Sequence, residues 1–436
     1  MKLTGKHVAI LGVGRSGRAA ALLALREGAR VSAWDSAGPE AFAGMPDEVE
    51  NHPGATEADA AGLACDLLVV SPGIDTYGSY VAAFSQQAGE VIGEVELAAR
   101  FYSGKIIGIT GTNGKTTTTE LVERILCHAG FGGTACGNYG VPFAEVVLQQ
   151  NPPAAVSLEL SSFQLETIRS LRPAIAVWLN FAPDHMDRYP TVEAYRAAKF
   201  RIFDYQTEDD TVVIRSGENL PALKAKVTTF STTDSAADWY SAGHTIQHQG
   251  ETWLDLDRDT GLRGLHNAEN AMAALAACKV LGISRSVMRE ALHGYAPPPH
   301  RCELVRTLDG VEYLNDSKAT NIHALQCAVR SQTRPVILIA GGKDKGLDYA
   351  PVVPLLVERA LAVVTFGQIA RPLAALIASS IECHAVSNLS DAIVAARELA
   401  PRGSTILFSP GTSSFDQFTG YEQRGNSFRD LVHQLR

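Results

Sequence analysis

The chain has 436 residues, 46% hydrophobic and 19% charged, with a formal net charge of −9. That length exceeds what one core serves and predicts roughly two to four domains, and the lack of a basic stripe argues against a nucleic-acid partner. Seven cysteines without a CxxC pair fit free thiols in a reducing compartment rather than a disulfide framework. The opening MKLTGKHVAILGVG runs into a strand without a cleavage site, and no apolar run approaches a membrane span, so a cytoplasmic protein is expected.

Residues 7–11 alternate too little for an edge strand and read as a buried parallel one. Gly12-Val13-Gly14-Arg15-Ser16-Gly17 follows, then an Ala/Leu-rich helix to Arg26, a strand over 30–34, and Asp35. This is the context of a dinucleotide fingerprint, with its acidic residue about twenty positions beyond the glycines. Three readings stand: NAD, another diphosphate on the same helix N-terminus, or glycines serving packing alone. A separate ATP loop downstream favours the non-redox diphosphate. A strand over 66–70 ends in Ser71-Pro72-Gly73-Ile74, placed where ligands bind in open α/β sheets, although packing explains that turn nearly as well. A helical pattern over 94–103 brings this Rossmann-like region to its boundary.

The stretch GITGTNGKTTTT, residues 108–119, follows the run 105–107 and precedes a helix-like segment over 120–128. Strand, glycine turn and helix in that order make a phosphate site. Gly111 and Gly114 let successive N–H groups face phosphate oxygens, Lys115 adds a point charge, and the Thr116 hydroxyl suits Mg²⁺. Ile109 occupies the first glycine position of a strict Walker A box, yet the core TGTNGKTT predicts a bound nucleoside triphosphate.

A strand over 155–160 carries Glu159 among apolar residues, where a carboxylate is costly unless paired or metal-bound; a metal ligand is expected. The strand over 174–179 runs into a segment where Asp184, His185, Asp187 and Arg188 crowd together. Thr191 is a plausible N-cap for a helix carrying Lys199, which composition alone reads as a solvated charge. Residues 204–264 are strand- and turn-like. A helix over 268–281 follows Asn267, which shares a face with Asn270, the two amides serving as caps or as readers of an adenine edge.

Three prolines in Tyr295-Ala296-Pro297-Pro298-Pro299-His300-Arg301 mark a linker. Strands over 335–340, 362–366 and 405–409 then alternate with helical segments as a second doubly wound unit. Polar clusters sit at strand ends: Gly341-Gly342-Lys343-Asp344-Lys345, Pro410-Gly411-Thr412-Ser413-Ser414, and the run from Tyr313 to Asn321 after a short strand. The expected fold is α/β in three domains: Rossmann-like over 1–95, a P-loop ATPase-like centre over 96–297, and Rossmann-like again over 298–436.

In order, TGTNGKTT, ELSSFQL, DHMDRY, the lysine helix, HNxxN, HR, NDSKATN and GGxxK resemble the Mur ligase family, ATP-dependent amide-bond ligases of cell-wall precursor synthesis. The ending SPGTSSFDQF…YEQRGNSF and the N-terminal GxGxSG with SPGI most resemble the branch that adds D-glutamate to UDP-N-acetylmuramoyl-L-alanine; the DNPR stretch of the diaminopimelate-adding branch is absent.

The resemblance implies phosphorylation of a carboxylate by ATP with Mg²⁺, then attack by an amine on the acyl phosphate. It assigns Gly111, Thr112, Asn113, Gly114, Lys115, Thr116 and Thr117 to ATP phosphates, with Asn270, Asp316 and Lys318 toward the nucleoside. Thr116, Glu159, His185 and Lys199 become metal-site residues, Lys199 as a carbamate, and Arg301 reaches the transferring phosphate through domain closure. The UDP-sugar falls to Gly14, Arg15, Ser16, Asp35, Gly73 and Asn138, and D-glutamate to Thr320, Lys345, Ser414 and Tyr421. Two departures stand out: Ser36-Ala37 lacks an arginine that some relatives carry after the aspartate, and Tyr421 replaces a common Phe. A monomer without membrane insertion is expected. The rivals are a folylpolyglutamate-type ligase, which should lack the first domain, an NAD-binding redox module, and a non-catalytic nucleotide-binding regulator, disfavoured because the family's catalytic positions are filled.

Overall fold

Runs of β-branched and aliphatic residues with glycine turns at their ends produce three sheets, most of whose strands are parallel and buried on both faces. The computed structural model describes residues 2–186, 188–296 and 299–436. Asp187 of the DHMDRY segment and Pro297 and Pro298 of the expected linker lie outside the described residues.

The first sheet contains β1 (His7–Leu11), β2 (Arg30–Asp35), β3 (Glu50–Pro53), β4 (Cys65–Val70) and β5 (Ala88–Gly93), all parallel in the order β3-β2-β1-β4-β5. The second has β6 (Lys105–Thr110), β7 (Ala135–Gly137), β8 (Ala155–Glu159), β9 (Ile175–Trp178), β10 (Thr211–Arg215), β11 (Lys226–Ser231), β12 (Trp239–Ala242), β13 (Thr245–His248) and β14 (Glu251–Asp255). Its order is β14-β13-β12-β11-β10-β9-β6-β8-β7, parallel up to β12 and antiparallel beyond. The third joins β15 (Glu303–Leu308), β16 (Val311–Asn315), β17 (Val336–Gly341), β18 (Ala360–Phe366), β19 (Cys383–Ala385) and β20 (Thr405–Phe408) in the order β15-β16-β20-β17-β18-β19. Only the β15–β16 pair in it is antiparallel.

The chain divides into two compact units, Met1–Thr260 with Asn267–Gly294, and Gly261–His266 with Tyr295–Arg436. The first two sheets share the first unit. There, side chains of the Arg15–Arg26 helix, the Glu94–Ala99 helix and the Phe143–Val147 helix join one apolar core with Val156, Leu158 and Trp178 of the second sheet. Buried Glu96 reinforces this, accepting from Arg100 at 2.8 Å, Ser170 Oγ at 2.6 Å and the Leu171 N–H at 2.9 Å. In the second unit, apolar clusters lie on both faces of the third sheet.

The phosphate-loop helix runs Lys115–His128, starting well before residue 120, because Gly114 turns the chain directly into it. Tyr313 and Asn315 lie inside β16 rather than in a run beyond it. None of the seven cysteines forms a disulfide. Among the described residues, no helix is long and apolar enough to cross a membrane.

Candidate active site

In the first sheet β1 lies between β2 and β4, so the strand order reverses at the carboxyl ends of β1 and β4. Gly12 turns there with φ 94°, and a Cβ on Gly17 would stand 1.9 Å from the Gly12 carbonyl, so the Arg15–Arg26 helix packs directly on the turn. Gly14 heads that helix without a side-chain cap, and no atom stands within 4 Å of where its Cβ would be. A helix start whose N–H groups take no side-chain cap favours an anion. Asp35 is engaged by the turn, accepting from the N–H groups of Val13 and Ala37 at 2.9 Å each. Ser71 Oγ donates to the Gly12 carbonyl at 2.9 Å, and Arg15 to that of Gly140 at 3.0 Å. Gly73 is exposed and Ser16 half-buried at this edge.

The second sheet repeats the arrangement, with β6 between β8 and β9 and the phosphate loop at its carboxyl end. Asn180, after β9, clamps the loop: its backbone carbonyl accepts from Thr112 N–H at 3.0 Å, its Oδ1 from Asn113 N–H at 2.9 Å, and its Nδ2 donates to Asn113 O at 3.1 Å. Gly114 has φ 84°, and a Cβ there would come within 2.2 Å of Asn270 Oδ1. Asn270 therefore packs on the loop itself, buried, with Thr118 Oγ1 at 3.4 Å and its Nδ2 donating to Asn267 Oδ1 at 3.3 Å. Lys115 Nζ folds back to the carbonyls of Gly111 and Thr112, at 3.0 and 2.9 Å. Thr116 and Thr117 are buried at the helix start.

Beneath the loop lie the buried charges. Glu159 ends β8 at 2% exposure; Oε1 accepts from Asn138 Nδ2 at 2.7 Å, while Oε2 is buried without a hydrogen-bond partner. Lys199, also 2% exposed, donates to the Gly111 carbonyl at 2.9 Å. Burial, reinforced by neighbouring Lys115, pushes the Lys199 ammonium well below its ordinary range, toward a neutral amine. Its helix, Val192–Phe200, is capped by the Thr191 hydroxyl and buries Tyr195, Ala198 and Lys199 on one face. His185 adopts φ 57°, its ring edge-on to Phe163 at 5.0 Å and to Tyr195 at 5.8 Å. Among the described residues no three His, Cys, Asp or Glu side chains form a metal-holding group.

In the second unit, Asp316 follows β16, buried, accepting from Ser409 Oγ at 2.8 Å and Cys302 N–H at 3.2 Å. Burial pushes its carboxyl up to about 7. Arg301 lies close enough to act on that charge, and its own Nε is buried without a hydrogen-bond partner. Arg424, fully buried, donates to the carbonyls of Ser317 and Thr412 at 2.7 and 3.0 Å and to Ser317 Oγ at 3.1 Å. It thereby ties the turn after β16 to the turn after β20. Ser414 is buried in the latter turn, Lys345 half-buried after β17, and Thr320 half-buried before the Ile322–Arg330 helix. Lys318 Nζ stands 5.0 Å over the Tyr421 ring.

Three family models describe consecutive stretches of this chain: the Mur ligase MurD-like N-terminal domain over residues 6–93, the Mur ligase middle domain over 109–278, and the Mur ligase glutamate ligase domain over 300–411. The chain is also 41% identical to the UDP-N-acetylmuramoylalanine–D-glutamate ligase of Myxococcus xanthus, covering 100% of both chains. The chain belongs to the Mur ligase family.

A second Mur ligase relative, the enzyme of the same name from Geobacter metallireducens, is 39% identical over 100% of this chain and 99% of its own. Among solved structures, UDP-N-acetylmuramate-alanine ligase from Thermotoga maritima superposes with a TM-score of 0.60 at 18% identity, covering 98% of this chain and 99% of that one. Folylpolyglutamate synthase from Mycobacterium tuberculosis gives 0.56 at 17% identity, over 77% of this chain and 92% of its own. At those identities the likeness is one of fold. The Mur ligase motifs gather Gly111, Lys115, Glu159, His185 and Lys199 toward the carboxyl ends of β6, β8 and β9. Sequence reasoning passed over Asn180, Tyr195 and Arg424. Tyr195 was legible in principle, because it sits four residues before Lys199 on the same helix face.

Proposed function

We propose that this chain is an ATP-dependent ligase that joins D-glutamate to UDP-N-acetylmuramoyl-L-alanine, releasing ADP and phosphate, in peptidoglycan precursor synthesis in the cytoplasm. The observation that carries this reading is similarity over the whole chain, at 41% and 39% identity, to proteins named for that reaction. Domains over 1–95, 96–297 and 298–436 are proposed for the sugar nucleotide, ATP and the amino acid respectively.

The chain's groups suit the chemistry. The phosphate loop and Lys115 hold the triphosphate, and a carboxylate of the sugar nucleotide attacks the terminal phosphorus to give an acyl phosphate and ADP. The D-glutamate amine then attacks the acyl carbon, and phosphate leaves from the tetrahedral intermediate. Positioning and neutralisation of negative charge supply most of the acceleration. The unpartnered oxygen of Glu159 and the buried Thr116 hydroxyl fit a cation, so Thr116, Glu159, His185 and Lys199 are proposed to hold Mg²⁺, which when bound neutralises phosphate charge. Only a neutral Lys199 amine can take up CO₂; the carbamate that forms, with release of a proton, places an anion beside Lys115. Gly14, Arg15, Ser16, Asp35, Gly73 and Asn138 are assigned to the sugar nucleotide, Asp35 through the turn it holds. In the second unit, Arg301, Asp316 and Lys318 are proposed for the nucleotide, and Thr320, Lys345, Ser414 and Tyr421 for the two carboxylates of D-glutamate.

Phosphate release with UDP-N-acetylmuramoyl-L-alanine and each amino acid tests the assignment. D-glutamate should turn over at least about a hundredfold faster than L-glutamate or meso-diaminopimelate, since a mismatched ligand strands buried polar groups. Equal rates with L-glutamate would overturn it.

A further inference from the structure

Glu166 ends the Ser162–Glu166 helix with its side chain only 4% exposed, and three donors from loops of two different sheets converge on its carboxylate. Thr76 Oγ1 and Arg188 Nη2, the latter at 3.1 Å, share Oε2, and the Tyr189 hydroxyl bonds Oε1. Thr76 lies in the turn after β4 of the first sheet, whereas Arg188 and Tyr189 follow β9 of the second. Arg188 also donates to the carbonyls of Pro72 at 3.4 Å and Ile74 at 3.2 Å, and its guanidinium lies 3.9 Å over the Phe163 ring. A buried carboxylate needs such pairing, but the pairing need not have joined these two loops.

What they carry gives the junction its meaning. Gly73 sits between the two carbonyls that Arg188 holds. His185 lies three residues before Arg188, in an uncommon backbone conformation kept by bonds from the Arg188 and Tyr189 N–H groups to its carbonyl, 3.0 Å each. Phe163 touches both Arg188 and the His185 ring.

We propose that the Arg188–Glu166 pair is a positioning relay between the sugar-nucleotide turn and the His185 segment, so that filling either site favours filling the other. The nature of the two ligands rests on the function proposed above; the relay itself rests on the bonds. A substrate that orders residues 72–76 presents Arg188 with fixed acceptors, and the fork of the guanidinium passes that order to the backbone holding His185. A lysine ammonium, whose three donors radiate from one nitrogen, cannot reproduce the planar fork by which Arg188 spans these acceptors.

Titration calorimetry of UDP-N-acetylmuramoyl-L-alanine, with and without a saturating non-hydrolysable ATP analogue and Mg²⁺, tests this in the wild type, Arg188→Lys and Thr76→Val. The analogue should tighten sugar-nucleotide binding by about fivefold or more in the wild type, and the sugar nucleotide should tighten analogue binding equally. Arg188→Lys should reduce that factor to below about twofold while leaving the analogue's affinity measured alone within about twofold, and Thr76→Val should reduce the factor part-way. General loosening would weaken both ligands measured singly, which sets a merely structural role apart and would contradict the relay. An unchanged factor in the variants, or none in the wild type, would also overturn it. If Arg188→Lys fails to fold, Thr76→Val alone decides by the same comparison. Absence of sugar-nucleotide binding by the wild type would instead remove the substrate reading, and the relay with it.

Discussion

Lys199 shows best how burial changes what a residue can do. On composition it is a surface lysine; in the fold it is enclosed, and the Gly111 carbonyl is its hydrogen-bond acceptor. Lys199→Ala should reduce ligation by about a thousandfold or more, with short carboxylates such as acetate restoring part of it by supplying the missing anion. Full activity in the alanine variant, measured by phosphate release, would remove Lys199 from the site. Asp316 makes a separate point about pH. Its folded-state value of about 7 lies above the ordinary 3.8, so the fold favours the protonated form. Its stability contribution is therefore intact below about pH 4 and is lost as pH rises toward 7. Asp316→Asn, neutral throughout, should be more stable than the wild type by roughly 2–4 kcal/mol at pH 8 and nearly equal to it at pH 4, while losing affinity for ATP. Urea unfolding at both pH values checks this; an equal difference at both would refute the linkage.

At the scale of elements, the strands that frame both ligand-facing edges were readable because buried parallel strands are short apolar runs that end in glycine or polar turns. The start of the Lys115–His128 helix was not, since Thr116, Thr117, Thr118 and Thr119 are four β-branched residues that disfavour helix locally. All four are buried, so packing overrides propensity there. Residues 204–264 read as strand- and turn-like without bounds for separate strands, so the antiparallel extension β12–β14 was not resolved; there Trp239 packs against His248 and Trp253. Gly114 links element to site. Gly114→Ala forces a side chain at φ 84° into Asn270, and should cost about 1–3 kcal/mol of stability and most of the ATP affinity. ATP binding within threefold of wild type (roughly 0.7 kcal/mol) would show that the Gly114–Asn270 contact does not shape the loop.

For the whole molecule, residues announced by type and spacing, such as Lys115 and Glu159, were legible, whereas those acting through distant partners were not. Arg424 meets Ser317 and Thr412, and Arg188 meets Pro72 and Glu166, only once the chain has folded. The uncapped glycine turn in the first sheet and the phosphate loop in the second share one unit, as a ligase that activates a carboxylate on a nucleotide-linked sugar requires. The most direct test of that chemistry places oxygen-18 in the terminal carboxylate of UDP-N-acetylmuramoyl-L-alanine and follows it by mass spectrometry during turnover with ATP and D-glutamate. An acyl phosphate passes one labelled oxygen to each released phosphate, and the product amide keeps the other. Amide formed while the phosphate stays unlabelled would contradict carboxylate phosphorylation and the account built on it.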